Sequence, residues 1–267
     1  MLDDFDAEPF TARSKTRTIY RRGTGPAVIV VAEMPGITPK VVEFAERVVE
    51  LGCTAVLPHL FGRPGADPYA AGTVPTILAL GSTLPPVCVS REFTVWATGR
   101  TSPVVAWLRD LARAEQERCG GPGVGAVGMC FTGGFALGMA TDPSVVAPVL
   151  SQPSLPFGVT AKQKSTIDVS DADLAKVKSR CAAEGLEVVG LRFRSDRFVP
   201  AERFAFLSEQ LGESFVAVEL DDDDARPGAP NAPHSVLTEH LHDVPGSGSR
   251  QALELVLDLF RRKLLAA

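Results

Sequence analysis

Residues 123–140 read GVGAVGMCFTGGFALGMA. An apolar run at residues 124–128 leads to Cys130, then come Gly133 and Gly134, and helix-forming residues follow. That order predicts a buried strand, a sharp turn that carries a thiol, and a helix. Such a turn raises a side chain above the end of a sheet and directs the N-terminus of a helix at it. We therefore expect Cys130 to be a nucleophile.

Strand and helix patterns alternate on both sides of this stretch. Residues 27–32 (AVIVVA) form a β-branched run, typical of a strand buried on both faces of a parallel sheet. Thr38 and Pro39 then mark the start of a helix. The alternation continues through the chain and predicts a single α/β domain over residues 1–267, with a doubly wound, mostly parallel sheet and helices on both faces. Residues 1–16 are expected to be a flexible or loosely packed N-terminal segment.

The least regular part of the chain lies between residues 60 and 99. It holds glycine and proline in FGRPGADP and GSTLPP, around a short apolar segment. A long connection of this kind is often functional, as a rim or cap over a site.

Composition and charge narrow the class of protein. The 267 residues are 45% hydrophobic and 22% charged, which allows a large core without a disulfide or a structural metal. A formal net charge of -5 argues against a nucleic-acid-binding surface. No apolar run is long enough to span a membrane, and the N-terminus lacks the pattern of a signal peptide. The five cysteines form no C-x-x-C pair and fit reduced thiols, so we expect a cytoplasmic protein.

A cysteine nucleophile needs a base, and the order of the chain suggests one. Among the four histidines, His234 lies in the proline-rich loop APNAPHS after the last predicted strand. Asp196 follows a predicted strand directly, in RSDRFVP, and is the candidate acid that orients the histidine. Nucleophile, acid and histidine occur in the chain order of the α/β-hydrolase triad. Taken singly, Asp196 is equally well a helix-initiating acid, and His234 an ordinary loop histidine.

The remaining polar motifs favour structural roles. His59 is expected to be structural, and His240 and His242 to face solvent. A His-x-His pair without a third ligand is a weak metal signal, and four consecutive aspartates at residues 221–224 are typical of a solvated loop. The sequence therefore predicts no metal site and no cofactor.

Glu33 stands at the end of a buried apolar strand, where a carboxylate is costly without a partner. It is either half of a structural ion pair or part of a functional site.

Four separated segments resemble the dienelactone hydrolase family of α/β-hydrolases. They are AEMPG (residues 32–36), GMCFTGGFAL (128–137), SDRFVPAERF (195–204) and PHS (233–235). The resemblance extends over nearly the whole chain and implies the α/β-hydrolase fold. It also implies a triad of Cys130, His234 and Asp196. Glu33 would lie beside the thiol, hold it first, and help it to ionise when substrate binds.

The resemblance also implies an oxyanion hole. The sequence departs from the family pattern at the positions of one glycine and two arginines. The implied oxyanion donors are the backbone N–H groups of Phe131 and Met34, which would meet charge on the carbonyl oxygen. Thr132 stands where the family has a glycine that lets the helix pack close to the strand. Thr238 stands where family members that act on dienelactone carry a carboxylate-binding arginine. Arg91 is our candidate for the second substrate-binding arginine.

The function expected from these residues is hydrolysis of a small ester or lactone through a thioester acyl-enzyme. Without a full pair of arginines, the substrate is expected to be less charged than a dienelactone. The alternative is a non-catalytic ligand-binding or thiol redox-sensing protein on the same fold. The expected partner is a small molecule, with no nucleic acid and no membrane, and the protein is expected to be a monomer or homodimer.

Overall fold

The computed structural model describes residues 2–67 and 92–266. Across these residues eight strands form one sheet, in the order β1-β2-β4-β3-β5-β6-β7-β8. The strands are β1 (Asp6–Ala12), β2 (Lys15–Arg22), β3 (Ala27–Val31), β4 (Thr54–Pro58), β5 (Val124–Met129), β6 (Val145–Ser151), β7 (Val188–Phe193) and β8 (Phe215–Leu220). The β1–β2 and β2–β4 pairs are antiparallel, and every other pair is parallel. The predicted mostly parallel sheet is confirmed.

Helices cover both faces of the sheet, as the strand–helix alternation predicts. The described helices are α1 (Pro39–Glu50), α2 (Val104–Cys119), α3 (Gly133–Met139), α4 (Ala161–Lys164), α5 (Asp171–Glu184), α6 (Ala201–Leu211) and α7 (Gly248–Phe260). Helices α1 and α7 pack on one face, and α2, α3, α5 and α6 on the other. Strand β3 is buried along its whole length because its side chains alternate between these two cores.

The N-terminal segment differs from the prediction. The sequence predicts a flexible or loosely packed segment over residues 1–16, but Asp6–Ala12 form a regular strand paired with β2 at the edge of the sheet. Its side chains are mostly exposed, so its sequence lacks the apolar alternation that marks a half-buried strand. The backbone ladder and cross-strand contacts such as the 2.8 Å hydrogen bond between the Thr11 and Thr16 hydroxyls hold it instead.

Parallel pairing brings the ends of four central strands to one edge of the sheet. Strand β5 lies between β3 and β6, and β7 lies beyond β6. Because their carboxyl ends share this edge, the loops after them meet there. Among the described residues, no helix combines the length and apolarity needed to cross a membrane.

Candidate active site

Cys130 lies at the tip of a tight turn between β5 and α3. Its φ of 52° falls in the left-handed region that side chains other than glycine rarely adopt. A side chain at Gly128 would collide with the carbonyl oxygen of Thr132, so the turn needs glycine there to approach the strand closely. The thiol is partly exposed, while the residues on both sides of it are buried. The strained turn therefore presents the sulfur at the edge of the sheet, as the sequence predicts.

Thr132 connects this turn to the neighbouring strand. Its side chain is fully buried, and its hydroxyl lies 2.8 Å from the carbonyl oxygen of Val31 and 3.2 Å from that of Ala32. The backbone N–H of Met129 donates to the same hydroxyl at 3.0 Å. Thr132 therefore ties the turn that carries Cys130 to the end of β3.

The predicted oxyanion donors lie just beyond the ends of the two strands, β3 and β5. Strands β3 and β5 pair with Val31 opposite Gly128. Met34 comes three residues after Val31, and Phe131 comes three residues after Gly128. The two residues therefore follow paired positions of adjacent strands. Phe131 is in the first turn of the 3₁₀ helix Cys130–Thr132, where an N–H has no intrahelical acceptor. This arrangement is compatible with an anion-binding pair of N–H groups.

Asp196 and His234 are far apart in sequence and form a direct hydrogen bond. His234 Nδ1 lies 2.6 Å from Asp196 Oδ2, and the other Asp196 oxygen accepts the N–H of Phe198 at 2.9 Å. The Asp196 side chain is 2% exposed and that of His234 is 18% exposed. When Nδ1–H donates to this carboxylate, Nε2 is left for proton exchange with a reacting group.

The electrostatics of His234 connect it to the thiol. Burial on its own lowers the pKa of His234, because it disfavours the charged ring. Negative charge on Cys130 and hydrogen bonding with both Asp196 and Cys130 outweigh burial, and the pKa of His234 is raised well above its ordinary value. The structure thus brings the thiol, the imidazole and the carboxylate of the predicted triad together.

Glu33 is buried, at 6% exposure, but its contacts differ from those the resemblance implies. Its Oε2 accepts hydrogen bonds from the Ser235 hydroxyl at 2.6 Å and from Gln152 Nε2 at 3.1 Å, and its Oε1 accepts one from the Thr238 hydroxyl. None of the hydrogen bonds within residues 2–67 and 92–266 joins Glu33 to Cys130. The carboxylate is held by the loop that carries His234.

Two further residues contact the predicted site residues and have no signal in the sequence motifs. Ser154, in the loop after β6, places its hydroxyl 3.6 Å from the Cys130 sulfur and donates its backbone N–H to the Cys130 carbonyl at 3.0 Å. Gln152, two residues earlier, has a φ of 37° and bonds Glu33. Gln152 and Ser154 both follow β6, which neighbours β5. That position is the one sequence feature that could have indicated a role for them in the site.

His240 shapes the loop that carries His234. Its Nδ1 lies 3.1 Å from the backbone nitrogen of Ser235 and 3.4 Å from that of His234, and its Nε2 lies 3.0 Å from the carbonyl oxygen of Pro230. The expectation that His240 faces solvent is wrong, because this irregular loop folds over the ring to satisfy its own backbone donors. Burial lowers the pKa of His240, which favours the neutral ring that can accept these bonds.

Thr238 stands where family members that act on dienelactone carry a carboxylate-binding arginine. Its side chain is buried and donates its hydroxyl to Glu33. Arg91, the candidate for the second arginine, lies outside the described residues.

The comparisons with known proteins concern both the sequence and the fold. The sequence profile of the dienelactone hydrolase family matches residues 15–177. The fold is similar to that of a candidate dienelactone hydrolase from Klebsiella pneumoniae, with a TM-score of 0.58 and 18% identity, covering 97% of this chain and 99% of that chain.

Two further solved structures share the fold. A dienelactone hydrolase-like promiscuous phosphotriesterase from metagenomic libraries has a TM-score of 0.58 and 17% identity, covering 97% of this chain and 98% of that chain. A lidless α/β serine hydrolase from Xanthomonas campestris has a TM-score of 0.52 and 12% identity, covering 99% and 97%. No curated protein matches the chain.

Proposed function

The chain belongs to the dienelactone hydrolase family, and we propose that it hydrolyses a small ester or lactone with Cys130 as nucleophile, His234 as base and Asp196 as the orienting acid. The proposal rests on the interactions of His234 with two groups. Its imidazole interacts with Cys130, whose backbone φ is strained, and its Nδ1 lies 2.6 Å from Asp196 Oδ2. A thiol that interacts with an oriented histidine is the arrangement that nucleophilic acyl transfer requires.

In the first half of the reaction His234 takes the proton of the Cys130 thiol, and the sulfur attacks the carbonyl carbon of the substrate. The carbonyl electron pair moves to oxygen, where the N–H groups of Phe131 and Met34 would receive it, typically contributing a few kcal/mol for each donor. The tetrahedral intermediate then collapses. The bond from carbon to the alcohol oxygen breaks, and the leaving oxygen takes the proton of protonated His234.

The second half resolves the thioester. His234, now neutral, takes a proton from a water molecule as the water oxygen attacks the acyl carbon. Collapse of this intermediate breaks the carbon–sulfur bond, releases the carboxylic acid and regenerates the thiolate beside protonated His234. No redox partner is needed, since the net reaction adds one water across the ester bond.

The identity of the residue at 238 bears on the class of substrate. A threonine hydroxyl engaged with Glu33 supplies no positive charge for a substrate carboxylate. We therefore propose a substrate less charged than a dienelactone, with Arg91 as a substrate-binding candidate. Turnover of neutral and carboxylate-bearing lactones of the same ring size would measure this preference.

The test of the nucleophile compares wild type with Cys130→Ala on p-nitrophenyl acetate and on a dienelactone. Cys119→Ala is the matched control, because Cys119 is a second partly exposed free cysteine. We expect kcat to fall by roughly 10³-fold or more in Cys130→Ala and to be unchanged in the control. Mass spectrometry of rapidly quenched wild type should show an acyl adduct on Cys130.

Equal rates for wild type and Cys130→Ala would overturn the proposal. Oxidation of Cys130 to sulfenic acid by peroxide, with no acyl adduct from any ester, would instead favour a thiol redox sensor.

A further inference from the structure

The Thr132 hydroxyl lies among backbone groups of two separate segments of the chain. It accepts the N–H of Met129 at 3.0 Å, and its single proton has carbonyl oxygens within reach. Those oxygens belong to Val31 at 2.8 Å, to Met129 at 3.0 Å and to Ala32 at 3.2 Å. The nearest, that of Val31, is on β3, and Met129 is the last residue of β5. The hydroxyl therefore bridges the ends of β3 and β5.

This bridge begins where the pairing of the two strands stops. The pairing of β3 with β5 ends at Val31 opposite Gly128, and the contact with Ala32 extends the connection one residue further. The Thr132 side chain is fully buried, so water does not compete for its hydroxyl. A buried hydroxyl whose partners all belong to the backbone of two segments holds those segments at a defined separation.

Both segments continue directly to the two predicted oxyanion donors. Phe131 precedes Thr132 in the chain, and Met34 comes two residues after Ala32. Among the hydrogen bonds of the described residues, none uses the backbone N–H of Phe131 or of Met34. Two N–H groups without an acceptor, on segments that one buried hydroxyl connects, are available to an oxyanion of the substrate.

We propose that Thr132 is a positioning residue that sets the distance between the N–H groups of Phe131 and Met34, so that both reach one developing oxyanion. This inference rests on the proposed function, since the oxyanion forms when Cys130 attacks a carbonyl. Such donors act at about 2.7–3.1 Å from the oxyanion, so a small shift of either strand end weakens them. Thr132 is fully buried and would act through the backbone that it holds rather than on the substrate itself.

The test separates a reaction of Cys130 that forms an oxyanion from one that forms none. Hydrolysis of p-nitrophenyl acetate passes through an oxyanion. In alkylation by iodoacetamide the sulfur bonds to a saturated carbon as iodide leaves, and no oxyanion forms. In Thr132→Val, which replaces the hydroxyl by a methyl group, we expect kcat for hydrolysis to fall roughly 10- to 100-fold, with KM little changed. The alkylation rate of Cys130, followed by mass spectrometry, should be little changed.

Two variants serve as controls for the loss of a buried hydroxyl. Thr132→Ser keeps the hydroxyl and should restore kcat to near the wild-type value. Thr141→Val should leave kcat unchanged, because Thr141 is also buried and donates to a backbone carbonyl, that of Gly138 at 3.0 Å, but lies beyond the C-terminal end of α3. Thr132→Ala provides a second removal of the Thr132 hydroxyl in case Thr132→Val does not fold.

A transition-state analogue gives an independent measurement of the oxyanion donors. An aryl trifluoromethyl ketone accepts the Cys130 sulfur at its carbonyl carbon, and the carbonyl electron pair moves to oxygen, where the donors would meet it. The inhibition constant of this ketone should rise in Thr132→Val by about the factor by which kcat/KM falls. Thr132→Ser should return it to the wild-type value.

Unchanged kcat and an unchanged inhibition constant in folded Thr132→Val and Thr132→Ala would overturn the inference. An equal fall of hydrolysis and alkylation would also overturn it, because Thr132 would then support the nucleophile and not the oxyanion donors. The proposed function fails separately, if Cys130→Ala hydrolyses the ester as fast as wild type. If Cys130→Ala is inactive and folded Thr132→Val is as active as wild type, the proposed function stands and the inference alone fails.

Discussion

The turn that carries Cys130 and the loop that carries His234 reach the same site by different physical means. The turn is short, buried and continuous with β5, and the close packing at Gly128 defines its geometry. Between β8 and α7 the chain that carries His234 forms the short 3₁₀ helix Asp222–Asp224 and a bridge between Ala225 and Leu241, and is otherwise irregular. Side-chain contacts to Asp196, Glu33 and His240 hold it in place.

Because of this difference, substitutions in the turn and substitutions in the loop should have different effects. Changes at the turn should act through steric overlap and damage the fold. Changes at the loop should act through lost hydrogen bonds and damage the orientation of the base more than the fold. Variants of the two regions distinguish these two kinds of damage.

Substitution of Gly128 by alanine is expected to have the largest effect. The added Cβ would overlap the backbone carbonyl of Thr132, which cannot move without displacing the turn. We expect the free energy of unfolding to fall by more than about 3 kcal/mol, measured by urea denaturation. Gly228→Ala is the control, because an added Cβ at Gly228 would meet open space. Its φ of 70° is unfavourable for alanine, so we expect the free energy of unfolding to fall by only about 1 kcal/mol. Equal losses would contradict the steric explanation.

Asp196→Asn tests the orientation of the base. The substitution keeps an oxygen for the Phe198 N–H but removes the charge that favours the His234 imidazolium, so the pKa of His234 should fall. We expect kcat to decrease roughly 10³- to 10⁴-fold, with little change in the midpoint of urea unfolding. Asp223→Asn, on the exposed loop after β8, is the matched control. A decrease of less than about tenfold would mean that Asp196 does not orient the base.

His240→Ala and its matched control His242→Ala, two residues away, test whether the His240 ring supports the loop. Loss of the His240 ring removes the acceptor for the backbone N–H groups of His234 and Ser235, and a buried donor without a partner costs about 1–3 kcal/mol. His242 is only partly buried, so its replacement should change the free energy of unfolding by less than about 0.5 kcal/mol. Chemical denaturation and kcat should rank the two variants in this order. The reverse order would exclude His240 as a support of the loop.

The smallest effect concerns pH. Because the pKa of His240 is lowered, the fold stabilises the neutral ring. That stabilisation is fully present above the unfolded-state pKa of about 6.5 and is lost as the pH falls through the lower folded-state value. The difference in free energy of unfolding between wild type and His240→Ala should therefore narrow on acidification from about pH 8 to about pH 5. A difference that widens over this range would contradict the assignment of a neutral, accepting ring.

Much of the fold could be predicted because it depends on local patterns. The β-branched run of β3, the thiol turn and the helix caps each occupy a few neighbouring residues, and their periodicity indicates strand or helix. The sequence does not predict the edge strand Asp6–Ala12, because only Phe10 and Ala12 of its side chains are partly buried and two positions give no clear period. The members of the candidate triad could be proposed from motif and chain order, since each follows a strand end.

The doubly wound sheet and the position of Cys130 on its turn follow from the sequence alone, because backbone geometry and apolar periodicity are local properties. Tertiary structure alone decided the partners of Glu33, Thr132 and His240. The hydrogen bond from Ser235 to Glu33 joins residues 202 positions apart, and the one from Thr132 to Val31 joins residues 101 apart. The strength of a hydrogen bond depends on the donor–acceptor distance to within tenths of an ångström and on the angle at the hydrogen. Such geometry exists only after the strand ends have met.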